Sequence, residues 1–202
     1  VDKPAKKSKR VDSVAKEKTR SPLDVFNLHR LSQSQRARIL GMLLIQVNAD
    51  HSISLRRAPD VSQACLEAYG EQNDSYVISL RELLGVISAH EWRKKGVKVP
   101  ALGADIHPWH GVFSPVRGEY VDLIARTKLP AAAKPARALD VGCGTGVLSA
   151  VLAKRGLWVV ATDNSPMALA CAAENLIRLE LADRVTLQKA DLFTKGRFGL
   201  VV

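Results

Sequence analysis

Hydrophobic residues recur at helical spacing in the first half of the chain. The spacing predicts a helix from Ser32 through Val47, a second over Val61–Tyr69, and a third from Ser79 to near Gly96. Ser32 and Ser79 each begin a capping-box pattern, which is typical of a helix start. A shorter helix is predicted over about 117–128. Residues 23–100 are therefore predicted to form a small, mainly helical module, with 101–130 as a connecting loop and helix.

The pattern changes after a Pro- and Ala-rich linker at 130–135. Short apolar blocks at 138–141, 157–161, 184–189 and 198–202 predict four strands, and residues 147–155 and 165–181 predict two helices between them. Ser165 and Pro166 form a strong helix start. Strands that alternate with helices through short connections favour right-handed crossovers and a parallel sheet. The predicted fold class is α/β, with a Rossmann-like domain over 131–202.

Charge is concentrated at the N-terminal end. The 202 residues carry a formal net charge of +10, and residues 1–20 hold eight Lys or Arg against three Asp or Glu, which is half of that excess. We expect residues 1–22 to be a disordered basic tail. Residues 1–20 could attract RNA or DNA without sequence preference, and the alternative is a solvated end with no partner.

Composition excludes several classes of protein. No apolar run reaches the roughly 18 residues that a membrane span needs, and the N-terminal residues lack the apolar core of a secretory signal. Three irregularly spaced cysteines fit neither a disulfide framework nor a zinc site. His107 and His110 flank Trp109 without a third ligand, so a packed loop is favoured over a metal site. We predict a cytoplasmic protein without a metal.

A glycine-rich turn is the most informative segment. Asp140 and Val141 end a predicted strand, and Gly142-Cys143-Gly144-Thr145-Gly146 follow before a helix. Glycines at alternate positions allow a sharp turn and leave room for a ligand across the strand ends. The alternative is a tight turn that merely happens to be rich in glycine. Cys143 has no histidine partner in the sequence and is interpreted as a small residue rather than a nucleophile.

The identity of the ligand follows by elimination. A dinucleotide fingerprint requires a further Gly or Ala where the chain has Val147, and a phosphate loop requires Gly-Lys-Ser/Thr, which is absent after Gly146. A nucleoside without phosphate remains. Asp163 ends the second strand, where a carboxylate can accept hydrogen bonds from both ribose hydroxyls, although it could instead cap the next helix. Asp191 and Leu192 follow the third strand and could frame an adenine.

These motifs together resemble the class I S-adenosylmethionine-dependent methyltransferases. The resemblance covers roughly 107–202 and rests on Leu139–Gly146, Ala161–Asp163, Ala190–Phe193 and Phe198–Val202. It implies S-adenosylmethionine as cofactor, with the methionyl part beside the glycine turn and the cationic amino group oriented by Asp140. The residues predicted to bind the cofactor are Asp140, Gly142, Cys143, Gly144, Thr145, Gly146, Asp163, Asn164, Asp191 and Leu192.

A narrower similarity lies upstream. Residues 111–123 look like the segment that precedes the fold in the "methyltransferase small" group, which includes glutamine methyltransferases of release factors and RNA base methyltransferases. The chain has Pro-Val-Arg-Gly-Glu-Tyr where the glutamine enzymes have Pro-Arg-Pro-x-Thr-Glu. Phe113, Arg117 and Glu119 are candidates for the acceptor side, and the alternative is that the Arg–Glu pair at the start of a helix is ordinary surface structure. The group's Asn-Pro-Pro-aromatic acceptor motif is expected just after Val202, so the sequence resembles the N-terminal part of a longer enzyme, interrupted after the fourth strand.

The resemblance implies methyl transfer to a nitrogen of a translation-related macromolecule, either an RNA base or a protein glutamine. Positioning of the acceptor nitrogen would supply most of the rate enhancement, without a catalytic base. The alternative is a module that binds the cofactor without catalysis and serves a scaffolding or RNA-binding role.

Overall fold

The computed structural model describes residues 21–115, 118–129, 136–192 and 194–202. Most of the predicted basic tail, the linker at 130–135, Arg117 and Phe193 lie outside these residues. The chain divides into two compact units, up to Leu40 and from Gly41 onward. Among the described residues, no helix is long and apolar enough to cross a membrane.

Helix α1, Pro22–Met42, forms nearly all of the described part of the first unit. Its last two residues, Gly41 and Met42, belong to the second unit. The Ser21 hydroxyl accepts a hydrogen bond from the Asp24 N–H at 3.1 Å and donates to the Asp24 carboxylate at 2.8 Å, which fixes the start of the helix. No residue of α1 is buried. The prediction of a helix from Ser32 through Val47 was wrong at both ends.

The second unit opens with two strands that the sequence analysis missed. Strand β1, Leu44–Val47, pairs antiparallel with β2, Tyr76–Ser79. Helices α2, Ser62–Tyr69, and α3, Leu80–Lys95, pack with them around a small core of seven buried residues: Val47, Val61, Ala64, Cys65, Ile78, Leu83 and Val86. Ser79 caps α3 and Gly96 ends it, as predicted.

A second antiparallel pair follows, which the sequence analysis also missed. Strand β3, Val97–Val99, pairs with β4, Ala104–Ile106, through the short 3-10 helix Pro100–Leu102. Helix α4, Glu119–Arg126, then leads to the sheet domain. The segment before the sheet is therefore mainly helical, as predicted, with two small strand pairs added.

Four parallel strands form the sheet of the C-terminal half. They are β5, Arg137–Val141, β6, Trp158–Asp163, β7, Val185–Lys189, and β8, Leu200–Val201, in the spatial order β7-β6-β5-β8. Helices α5, Val147–Lys154, and α6, Pro166–Arg178, connect them. The predicted Rossmann-like α/β sheet is confirmed. Because the strands are parallel, the turns after β5, β6 and β7 meet at one edge of the sheet.

The larger hydrophobic core of the second unit lies between helix α5 and the sheet. Six of the eight residues of α5 are buried, and the five apolar ones pack with the interiors of β5 and β6 in a single apolar cluster. Strands that are covered by helices read as continuous apolar runs, which is how β5 and β6 appear in the sequence. The polar residues at their carboxyl ends stand out against this background.

Candidate functional site

The turn between β5 and α5 is built on three glycines with positive φ. Gly142, Gly144 and Gly146 have φ values of 73°, 51° and 81°, which residues with a Cβ rarely adopt. The N–H groups of Gly142 and Cys143 donate to the carbonyl of Thr162, at 2.8 and 2.9 Å. The turn is therefore held against the end of β6 by backbone hydrogen bonds.

The three glycines serve different purposes. A Cβ on Gly142 would meet nothing within 4 Å, so this position faces open space. A Cβ on Gly144 would lie 2.6 Å from the carbonyl oxygen of Phe113, and one on Gly146 would lie 3.2 Å from the Cβ of Ala172. The sequence interpretation that all three leave room for a ligand needs correction, because Gly144 and Gly146 are required by close packing. Only Gly142 of the three faces unoccupied space.

Asp163 points its carboxylate at this turn. Its Oδ2 accepts a hydrogen bond from the Gly144 N–H at 3.0 Å, and its Oδ1 accepts one from the Ser165 N–H at 2.9 Å. Ser165 itself caps α6 by accepting from the Ala168 N–H at 3.3 Å. Asp163 thus shapes both turns, and each oxygen keeps acceptor capacity for a further donor.

Thr162 joins a third turn to the first two. Its hydroxyl donates to the carbonyl of Leu192 at 2.9 Å, and the Ala190 N–H donates to the carbonyl of Asp163 at 3.1 Å. The chain after β7 is thereby fixed beside the end of β6. Asp191 and Leu192 are exposed there, and Leu192 has a φ of 69°. Asn164 is exposed between Asp163 and Ser165.

Asp140 is buried beneath the turn. Its Oδ2 accepts a hydrogen bond from the Ser149 hydroxyl at 2.6 Å, and only 2% of its surface is exposed. Burial raises the pKa of this carboxyl above its ordinary value, the Asp163 charge adds to the rise, and the Ser149 hydrogen bonds oppose it. The structure gives Asp140 a partner within α5, a role that the sequence analysis did not foresee.

We expect the variant Asp140→Asn to be more stable than the wild type at neutral pH. A raised pKa means that the folded state holds its proton more tightly than the unfolded state, so wild-type stability falls as pH rises from about 3.8 through the folded-state pKa. An asparagine carries no charge there and still accepts from Ser149. Thermal unfolding from pH 3 to 8 should show a stability advantage of the variant that grows with pH. An advantage that is constant or that shrinks would contradict the expectation.

Cys143 is not poised as a nucleophile. Its thiol is buried, and burial first, then the charges of Asp140 and Asp163, raises its pKa to about 12. The thiol is protonated at neutral pH. The geometry agrees with the interpretation of Cys143 as a small residue in a tight turn.

Two further polar side chains complete the turn. The hydroxyl oxygen of Thr145 is buried and makes no hydrogen bond within the described part of the chain. Asn175 of α6 donates to the Thr145 carbonyl at 3.1 Å and accepts from the His107 N–H at 2.9 Å. Asn175 therefore ties the loop after β4 to the glycine turn. The sequence analysis missed it, although a lone Asn on the apolar face of a helix is a detectable signal.

The structure describes two of the three candidate acceptor residues, Phe113 and Glu119. Phe113 contacts the turn, since its carbonyl accepts a hydrogen bond from the Thr145 N–H at 3.2 Å. Phe113 is also 72% exposed to solvent. Glu119 is exposed at the start of α4 and makes no hydrogen bond or ion pair with the turn among the residues described. Arg117 lies outside the described residues. Phe113 is thus the candidate for which the structure gives a contact with the site.

The two histidines of the loop after β4 have protein partners. His107 Nδ1 lies 2.7 Å from the Arg93 carbonyl, and the His110 ring packs edge-on against Tyr69. Trp109 donates its indole N–H to Glu174 at 2.8 Å. In the ranges the structure describes, no group of three or more His, Cys, Asp or Glu is arranged to hold a metal ion.

Comparisons with known proteins match this half of the chain. Residues 104–202 match the family model of the methyltransferase small domain. Over 71 residues the chain is 39% identical to the ribosomal RNA small subunit methyltransferase C of Alcanivorax borkumensis, covering 34% of this chain and 21% of that protein. Over 68 residues it is 38% identical to the ribosomal protein L11 methyltransferase of Desulfitobacterium hafniense, covering 33% and 22%.

A solved structure, the precorrin 8W decarboxylase of Methanobacterium thermoautotrophicum, is 36% identical and covers 43% of this chain and 45% of that chain, with a TM-score of 0.37. The chain spans about a fifth of the length of the two curated relatives.

Proposed function

Because residues 104–202 belong to the methyltransferase small domain family, whose cofactor is S-adenosylmethionine, we propose that the protein transfers a methyl group to a nitrogen of an RNA base or of a translation protein. One observation carries the proposal: the open turn at Gly142 and the Asp163 carboxylate lie side by side. The Gly142 N–H donates to the carbonyl of Thr162, and the Asp163 carboxylate accepts from the Gly144 N–H. The two relatives are named as methyltransferases of ribosomal RNA and of a ribosomal protein, which supports an acceptor of this class. A cytoplasmic location stays a prediction.

The residues at the turn fit a nucleoside that carries no phosphate. Gly142 provides space, Asp163 provides an anionic acceptor suited to a ribose diol, and Thr145 offers a buried hydroxyl that lacks a partner among the described residues. Val147 stands where a dinucleotide fingerprint needs a glycine or alanine beside the pyrophosphate. We propose that Gly142, Asp163, Asp191 and Leu192 hold the cofactor, with Asp163 on the ribose and the 191–192 turn beside the adenine.

S-adenosylmethionine supplies an electrophilic methyl group on a sulfonium. The chain's part is to bind, orient and exclude water. The hydrogen bonds of Thr162 and Asp163 preset the turn before ligand arrives, which lowers the ordering cost of binding. Asp140 and Ser149 brace the turn from below. On gaining the methyl group the acceptor nitrogen would lose a proton to solvent, and S-adenosylhomocysteine would leave. Alignment of the acceptor nitrogen with the methyl group would supply the rate, so none of these residues needs to take that proton.

Transfer of a radiolabelled methyl group tests the proposal. The protein is incubated with labelled S-adenosylmethionine and with RNA or protein fractions of a cell extract, and the product is digested and analysed by mass spectrometry. We expect label on a ring or exocyclic nitrogen of RNA or on a side-chain nitrogen of a translation protein. Label on carbon or oxygen would contradict the proposed acceptor. Binding of cofactor without transfer to either fraction would favour the scaffolding alternative.

A further inference from the structure

An apolar cleft lies between the end of α3 and the loop after β4. Its volume is about 320 Å³, and its lining includes Ala89, Trp92, Pro108, Trp109, Val112 and Phe113. Two aromatic side chains of this cleft reach solvent, since Phe113 is 72% exposed and Trp92 is 45% exposed. Large aromatic surfaces left in water beside a cavity mark a site for a ligand with an apolar face.

Phe113 lines the cleft and also contacts the glycine turn. The backbone carbonyl of Phe113 accepts a hydrogen bond from the Thr145 N–H. The Phe113 side chain lies close to Gly144, where an added Cβ would be 3.7 Å from the Cβ of Phe113. A molecule that rests on the Phe113 ring therefore lies next to the turn. Because a methyl acceptor has to approach that turn, the cleft is where part of the acceptor would be held.

Positive charge lies on one side of the cleft. Trp92 is followed directly by Arg93, Lys94 and Lys95 at the end of α3. The Arg93 guanidinium stacks on Trp109 at 4.5 Å and lies 3.6 Å and 3.7 Å from the carboxylates of Glu67 and Glu174, so its charge is already engaged. Lys94 lies two residues beyond Trp92 and lines a neighbouring cavity of about 320 Å³, which Glu67 and Glu174 also line. Lys94 forms no ion pair within the described ranges.

An exposed aromatic platform, on a helix that also carries a lysine without an ion pair, matches the chemistry of a single nucleic-acid strand. Bases stack on aromatic rings whatever their sequence, and a nearby lysine meets the phosphate. A duplex hides its base faces, and a glutamine side chain needs polar partners that an apolar cleft lacks. Half of the formal net charge of +10 lies in residues 1–20, and the remaining +5 of residues 21–202 is still complementary to a polyanion.

We propose that the Trp92–Phe113 cleft binds an unpaired base of single-stranded RNA by stacking, with Lys94 on the adjoining phosphate. The inference rests on the proposed function, because it takes the glycine turn as the place where the methyl group is presented. It selects RNA over protein as the acceptor. Trp92 and Phe113 are assigned to substrate binding and take no part in the chemistry.

Binding of a short, fluorescently labelled RNA strand tests the cleft. We expect Trp92→Ala and Phe113→Ala each to weaken binding about tenfold, the loss of one stacked base. Trp92→Phe keeps a ring and should retain most of the affinity. Trp158→Ala is the matched control, since Trp158 is also exposed and stacks with an arginine, but lies at the opposite end of β6. Equal affinity of Trp92→Ala and Trp158→Ala would overturn the proposal.

Two further arms separate stacking from charge. An abasic strand of equal length keeps the phosphates and loses the bases, so we expect it to bind more weakly and to be insensitive to Trp92→Ala. Lys94→Ala should lower the slope of log affinity against log salt by about 0.7, the value for one phosphate contact on a single strand. Abasic and base-bearing strands of equal affinity would contradict stacking. The N-terminal residues are present in every variant, so their contribution cancels.

Failure of the cleft can be distinguished from failure of the proposed function. Calorimetry of the wild-type protein with S-adenosylhomocysteine reports on the turn alone. If this ligand binds but Trp92→Ala does not change the affinity for RNA, the proposed role of the cleft is wrong and the proposed function is unaffected. Absence of ligand binding, with RNA affinity still dependent on Trp92, overturns the proposed function. Trp92-dependent binding of a glutamine-bearing peptide in place of RNA overturns the choice of acceptor.

Discussion

Gly142→Ala is expected to lower the affinity for S-adenosylhomocysteine by about 10- to 100-fold while the protein stays folded. The new methyl group would enter the open space beside the turn, where a ligand would be crowded at a cost of about 1–3 kcal/mol. The positive φ of 73° adds strain of about 1–2 kcal/mol to the folded state. Calorimetry gives the affinity, and thermal unfolding gives the stability.

Two other glycines make this prediction specific. Gly103→Ala is a matched control, because Gly103 also has a positive φ, of 63°, and open space around a Cβ, but lies in the β3–β4 connection. It should lose similar stability and keep full affinity. Gly144→Ala places a Cβ 2.6 Å from a backbone oxygen, so we expect it to be the least stable of the three. Equal ligand affinity of the Gly142 and Gly103 variants would contradict the account.

Asp163→Ala is expected to reduce the affinity for S-adenosylhomocysteine by at least about 100-fold. Hydrogen bonds to a charged group contribute about 1.5–3 kcal/mol each, and a ribose diol makes two. The variant also leaves the N–H groups of Gly144 and Ser165 without their acceptor, so the turn becomes less ordered. The titration should be run well below the unfolding temperature of the variant.

The control for Asp163→Ala is Asp183→Ala. Asp183 is exposed just before β7, at the end of the sheet away from the turn. Removing either carboxylate changes the net charge equally, so a loss confined to Asp163→Ala cannot arise from long-range electrostatics. A loss of less than about fivefold at Asp163, or the same loss at Asp183, would show that the ribose is held elsewhere.

Local signals predicted the sheet domain well. Ser165 and Pro166 mark the start of α6, and the side-chain cap forms as expected. Ser21 and Pro22 carry the same signature at the start of α1, where it was overlooked in favour of Ser32. The error at Leu44–Val47 has another cause: helical spacing there is overridden by pairing with Tyr76–Ser79, a partner about thirty residues away along the chain.

The sequence also indicated which residues lie at the candidate site, but not the contacts that fix several of them there. The glycine turn and Asp163 follow from strand–turn–helix patterns, which are local. The roles of Gly144, Asn175 and Thr162 depend on partners far away in sequence, since Gly144 packs on Phe113 and Asn175 bonds to His107. No spacing rule could reveal these contacts. Thr162, a polar residue at the end of an apolar strand, was one local sign of such a contact.

A crystal structure of the protein with S-adenosylhomocysteine would show whether the glycine turn and Asp163 hold the cofactor. We expect the ligand to pass over Gly142, with both ribose hydroxyls within about 3 Å of the Asp163 carboxylate and the adenine beside Asp191 and Leu192. A ligand bound with its ribose away from Asp163, or seated on another surface of the protein, would contradict this expectation.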